Sequence, residues 1–211
     1  MFQLSPRSLP SRLPALLLAL GLSGCGAIAA LDDASTPLEI YELQTPPIQP
    51  STARGRLELV VEPPIASGAL STERIMIRPA PLQAQYLPGV RWSDEAPAML
   101  QTLLVRSLSE TGAFASVGRA PLGAQGDYAL LGELTDFQAQ GAESGAAVRI
   151  RIMLRLVRER DASVVAARTF EVTEPAADTE TDTLVAAFDR GTSRILAEVL
   201  PWVVGATRGG A

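Results

Sequence analysis

Cys25, in "LSGC" (Leu22 to Cys25), is the single cysteine of a 211-residue chain that contains no histidine. A lone thiol cannot close an intramolecular disulfide, and without imidazole it has no Cys-His pairing to make it a nucleophile. The missing histidine also removes Ser-His-Asp triads and His-bearing zinc sites. All 18 basic residues are arginine, so neither a P-loop lysine nor a Schiff-base lysine can be present. Arg149, Arg151 and Arg155 recur on one face of "AAVRIRIMLRLVRER". Arginine forks bind phosphate and carboxylate bidentately. The row reads either as a strip for phosphate or an acidic partner, or as a solvated face neutralised by Glu171, Glu174, Asp178, Glu180 and Asp182. In "QYLPGVRW", Tyr86 and Leu87 sit in a Pro-bounded loop and are candidate partner contacts, whereas Trp92 is expected to close the core over a helix. No pair of carboxylates stands out as acid and base. The chain is read as a non-enzyme, with no cofactor and no metal.

Composition bounds the rest. The sequence is 47% hydrophobic and 19% charged, with a formal charge of -5 and a pI near 4.9, which argues against a nucleic-acid partner. Arg7 and Arg12 form a positive stretch ahead of "LPALLLALGL" (Leu13 to Leu22), an apolar run of about ten residues. That is the length of a signal h-region and too short to span a bilayer. "LSGC" then resembles the lipobox of bacterial lipoproteins, in which the peptide is cut before the cysteine and the thiol carries diacylglycerol. The competing reading is an ordinary secretory signal cut near Ala27 to Ala30. On the lipobox reading, residues 1–24 are signal peptide and Cys25 is a membrane anchor. Gly26, where Asp would retain such a protein at the inner membrane, points to the outer membrane. Loss of Arg7 and Arg12 leaves 16 arginines against 23 acidic residues, a charge of -7.

Residues 25–55 read as a flexible tether, closed by the proline-rich "TPPIQPSTARG". Within it "IYELQ" (Ile40 to Gln44) could be an added strand or a loop patch. The domain is expected over 56–205, with a disordered tail at 206–211. "RLELVVEP" and "ERIMIRP" alternate as strands. Ser93 is a candidate N-cap for a helix carrying Met99, Leu100, Leu103, Leu104 and Leu108, stopped at Gly112. "DYALLGELTDFQAQ", "AAVRIRIMLRLVRER" and "SVVAARTFEVTEP" read as a meander of long strands. A last helix is expected from about Asp182 to Trp202, with Pro201 near its end. The sum is an α+β two-layer domain: a largely antiparallel sheet of five or six strands with two main helices on one face.

Taken in order, "IYEL", "RIMIRP", "QYLPGVRWSDEAPAML", "TGAFASV", "GELTDFQ" and "AAFDRGTSRILAEVLPWV" resemble the ABC-type transport auxiliary lipoprotein family, the group of paraquat-inducible protein C-like lipoproteins. Tyr41 stands alone where many relatives carry two adjacent aromatics. The resemblance implies an auxiliary component of transporters that contain mammalian-cell-entry (MCE) proteins, which move phospholipids or other hydrophobic molecules between inner and outer membranes. It implies as partners an MCE-family protein with its ABC permease and ATPase, a lipid-anchored place in the envelope facing the periplasm, and a homo-oligomer as a plausible assembly. The alternative is a periplasmic carrier that itself holds a lipid between sheet and helices.

Overall fold

The long strands among the described residues turn one mostly apolar face inward and a more mixed face outward. The computed structural model describes residues 37–48, 50, 55–123, 125–141 and 145–209. In chain order the strands are β1 (Glu39–Tyr41), β2 (Glu58–Val61), β3 (Ile65–Ala66), β4 (Met76–Ala80), β5 (Gln83–Tyr86), β6 (Val90–Trp92), β7 (Ser116–Gly118), β8 (Tyr128–Gly141), β9 (Ala146–Arg158) and β10 (Ser163–Ala176). The described residues also form two helices, α1 (Ala96–Glu110) and α2 (Thr181–Gly209), and one short 3-10 turn at Glu159–Asp161.

β9 shows the rule most clearly. Val148, Ile150, Ile152, Leu154 and Leu156 are all buried, while Arg149, Arg151 and Arg155 point the other way and remain half or fully exposed. β8 and β10 flank it in antiparallel register. Such a sheet packs one face and wets the other.

The sheet is larger than the expected five or six strands and is mixed: the long strands β8, β9 and β10 are antiparallel, and the short neighbours of β8 are parallel to it. It has eight strands in the order β10-β9-β8-β2-β7, and the far edge of β8 also takes β3 and β4. β2, β3 and β4 all lie parallel to β8, and β7 lies parallel to β2. Parallel neighbours need long crossovers, so local periodicity carries no trace of them. β5 closes a hairpin on β4.

A bulge in β8 makes its pattern work. Leu134 pairs with Ile152, but the next partner of β9, Arg151, faces Asp136, so Thr135 is the extra residue. Leu130 and Leu134 face the core before the bulge, Phe137 and Ala139 after it, and all four are buried. Unbroken alternation would have turned Asp136 inward instead.

Both helices cover the apolar face. α1 buries Met99, Leu100, Leu103, Leu104 and Leu108 at the spacing of one helix face. It does not start at a Ser93 cap: Glu95 precedes it without a side-chain cap bond, and a proline occupies its first turn, where a missing N–H costs nothing. The Ser93 N–H donates to the Tyr41 carbonyl at 2.8 Å. Gly112, with φ +65°, ends the helix in the left-handed conformation that glycine adopts freely. α2 runs past Pro201 to Gly209, so it ends neither at Trp202 nor at the expected domain limit of 205. Pro201 only withholds the N–H that Ala197 would accept. At Gly191 the helix comes so close to β9 that a Cβ would stand 3.1 Å from Ile150 Cδ1.

The larger of two compact units begins at Glu39, within the stretch read as tether. β1 pairs in parallel with β6 as a separate two-stranded sheet, Tyr41 opposite Trp92, and Leu43 is buried. The Tyr41 hydroxyl donates to Asp182 at 2.7 Å, and the Gln44 N–H donates to Asp189 at 2.8 Å. The hydrogen bond to Asp182, with burial and the charges of Asp182 and Glu39, pushes the Tyr41 hydroxyl up to about 12. Residues 39–44 therefore strap onto α2.

A second clamp joins α2 to the sheet. Glu174 of β10 shares its carboxylate between Arg190 Nε and Arg194, each at 2.9 Å. Burial alone would raise this carboxyl, but the two arginine hydrogen bonds and charges outweigh it and hold Glu174 below its ordinary value. A depressed carboxyl contributes stability above its unfolded titration range, lost as pH falls through the folded value. Glu174→Gln is expected to cost about 1 kcal/mol at neutral pH, since both arginines are over half exposed. Denaturant melts from pH 7 to 3 should show a flatter acid limb for the variant; parallel limbs would remove Glu174 from the acid response.

Candidate functional site

The open face of the sheet gathers the arginine row only in part. Arg149 reaches Glu171 at 2.9 Å and Asp136 at 3.7 Å, and Arg151 reaches the same Glu171 at 3.5 Å. Thr173 and Gln138 flank Arg149 on the neighbouring strands. Arg155 stands exposed near the far end of β9 and forms no ion pair among the described residues. Of the acidic residues expected to neutralise the row, Glu171 does so. Glu174 belongs to the α2 clamp, and Asp182 accepts from Tyr41.

Sequence reasoning missed Arg78. β4 sets Arg78 beside Gln140 of β8, and the strand-to-strand turn of "RPAPLQ" overhangs the open face. The result is a polar cleft of about 530 Å³, lined by Arg78, Pro79, Pro81, Asp136, Gln138 and Arg149 among others. Among the described residues the Nε of Arg78 and the Nε of Arg149 are both shielded from solvent with no hydrogen-bond acceptor, Asp136 lying 3.7 Å from the latter. Arg78 has only a long contact of 3.5 Å to the Pro81 carbonyl. Asp136 is already engaged, accepting from Gln138 at 2.9 Å and from Thr135 at 3.1 Å. The only sequence signal for this site was the alternation that put Arg78 opposite Ile77.

Tyr86 ends β5 half-buried, its hydroxyl donating to the Ala69 carbonyl at 3.1 Å and its ring carrying the Arg74 guanidinium 4.4 Å from the centroid. Leu87 is also half-buried and packs against the core, with its N–H bonded to the Ile75 carbonyl. Both keep one side open. Trp92, at 1% exposure, is core: its ring lies 5.2 Å from that of Phe188 and 5.9 Å from that of Phe137. Cys25 lies outside the described residues.

Two apolar spaces bear on lipid binding. Between sheet and helices, where a carried lipid would lie, the cavity lined by Leu100, Leu104, Ile150, Leu154, Ile195 and Val199 holds only about 10 Å³. A ligand pocket needs several hundred. A surface hollow of about 380 Å³ lies instead between Pro46, Pro47 and Ile48 and the α2 residues Ala197, Leu200 and Val204. Among the described residues no three Asp, Glu, Cys or His side chains converge as metal ligands.

Comparison with known proteins extends these observations. The family described as ABC-type transport auxiliary lipoprotein component matches residues 41–199, from the last residue of β1 into the C-terminal half of α2. The uncharacterized protein bll6063 of Bradyrhizobium diazoefficiens is 31% identical over 169 residues, covering 78% of this chain but 44% of that protein. This chain thus spans less than half the length of that relative. The crystal structure of protein XCC0632 from Xanthomonas campestris superposes with a TM-score of 0.74 at 29% identity, covering 81% of this chain and 97% of that one. The hypothetical protein CT253 from Chlamydia trachomatis shares the fold at 10% identity, with a TM-score of 0.52 over 72% of this chain and 98% of its own. With a match that takes in the whole sheet and most of both layers, this chain belongs to the ABC-type transport auxiliary lipoprotein family.

Proposed function

We propose that this chain is a non-enzymatic assembly module, lipid-anchored through Cys25 in the outer membrane and facing the periplasm. Its place is beside an MCE-type ABC transport system for phospholipids or other hydrophobic molecules. The family match over residues 41–199 carries the reading. The close packing between sheet and helices supports a scaffold over a carrier that encloses a lipid, because about 10 Å³ admits no acyl chain. Passage and energy come from partner chains, an MCE-family protein with its permease and ATPase, and a homo-oligomer fits a component that caps a conduit.

The test is crosslinking in the native cells, purification in mild detergent, and mass spectrometry of co-purifying proteins and lipids. Recovery of an MCE-family protein without stoichiometric free lipid is the expected result. Stoichiometric lipid with no transporter partner would overturn the scaffold reading in favour of the carrier. On the same reading, Tyr86→Ala combined with Leu87→Ala should reduce capture of the partner about tenfold, the effect of losing one or two interface anchors. Circular dichroism would verify the fold. Undiminished capture by the folded double variant removes this loop from the interface.

A further inference from the structure

We propose that the cleft between the β4–β5 hairpin and the open face of β8 and β9 is a binding site for a phosphate ester, and that its ligand is a phospholipid headgroup. Three observations converge on it. First, the cleft is a concave space of about 530 Å³, within the size range of small-ligand sites. Second, it draws guanidinium groups from two strands distant in sequence, Arg78 and Arg149, against one carboxylate, Asp136. Arg149 is already paired with Glu171 and Asp136, which leaves Arg78 as the guanidinium of the lining with no carboxylate against it among the described residues. Each guanidinium retains an Nε–H that no described protein group accepts. Donors left unmatched in this way carry a cost that an incoming anionic acceptor relieves, and a phosphate oxygen pair is the acceptor that the arginine fork fits best.

Third, one rim of the cleft is apolar and reaches outward. Pro79, Ala80 and Pro81 form its rim, and Leu82, next in the chain, is completely exposed at the hairpin tip. An inorganic anion has no use for that leucine. A phospholipid does: its phosphate lies on the arginines while the first part of its acyl region meets the tip, the cation-beside-apolar arrangement of interfacial proteins. The phosphate chemistry follows from the cleft itself, and its assignment to a lipid rests also on the transport reading above.

The test uses the full-length lipidated protein in a neutral, phosphate-free detergent, titrated calorimetrically with dihexanoyl-phosphatidylglycerol and separately with glycerol 3-phosphate. Saturable binding of the short-chain lipid is expected. Arg78→Gln should weaken it about tenfold, the loss of one charged hydrogen-bond pair. Arg155→Gln removes the same charge from the same face, outside the cleft, and should leave it unchanged. Leu82→Ser should weaken the lipid and not glycerol 3-phosphate. Equal losses with Arg78→Gln and Arg155→Gln, or no saturable binding of either probe, would overturn the site. Equal affinity for both probes, indifferent to Leu82→Ser, would overturn the lipid assignment. Crosslinking to the transporter by the Arg78→Gln variant separates the two readings: capture preserved with binding lost shows that the cleft and the assembly role stand or fall independently.

Discussion

Truncating Trp92 to alanine is expected to destabilise the fold by about 3–5 kcal/mol, the range for deleting a large aromatic from a closed core. The reason is where the ring sits. Trp92 ends β6, lies opposite Tyr41 of the strap, and meets Phe137 of β8 and Phe188 of α2, whose own rings are 4.9 Å apart. One side chain therefore joins the small sheet, the large sheet and the longer helix, and edge-on aromatic pairs add about 0.5–1.5 kcal/mol beyond area burial. For a unit of this size the melting temperature should fall by roughly 6–20 °C. Trp202 supplies the internal comparison: it also packs edge-on, 5.3 Å from Phe170, but is only partly buried. Urea unfolding of both variants checks the point. A cost for Trp92→Ala no greater than that for Trp202→Ala would show that the triad does not hold the layers together.

Cys25→Ser is expected to have an all-or-none effect of another kind. A serine hydroxyl cannot form the thioether through which diacylglycerol would be attached, so the acyl mass found by mass spectrometry on the purified protein should vanish entirely. At about 0.8 kcal/mol for each buried CH₂, the attached chains supply the anchoring part of the proposed membrane affinity. Among the described residues no helix is long and apolar enough to cross a membrane. The variant should be mislocalised while its circular dichroism matches that of the parent. Acyl label retained in Cys25→Ser would place the anchor elsewhere and undo the lipobox reading.

What the sequence disclosed and what it withheld follow one physical line. β8, β9, β10 and the inner stripes of both helices depend on periodicity over a dozen residues, and periodicity is visible in one dimension. β3, β5, β6 and β7 have two to four residues each, too few to carry a pattern. β1 joined the fold rather than the tether because its partners, Trp92, Asp182 and Asp189, lie far along the chain. The bulge at Thr135 is likewise set by its pairing with β9, not by residue type. At the candidate site, Arg149 and Arg151 were legible as a row and Glu171 as their counter-charge. Arg78 was not, because only the parallel pairing of β4 with β8 brings it to Arg149. Ser93 looked like a cap by composition, but the helix starts two residues further on, after Glu95 and with a proline in its first turn.

The parallel edge of β8 also sets a clock. Leu59, Ile65 and Ile77 face Tyr128, Glu133 and Ala139 respectively, each partner more than 60 residues further along the chain. At a synthesis rate of roughly 5–20 residues per second, the first three strands of this sheet emerge several seconds before the strand that receives them. During that interval Leu59, Val61 and Ile75, all buried in the finished fold, have no β8 to pack beside, and Met76 has only its hairpin partner Tyr86. Completion of this sheet therefore waits on the second half of the chain, and until β8 arrives the early strands are without the neighbour that joins them.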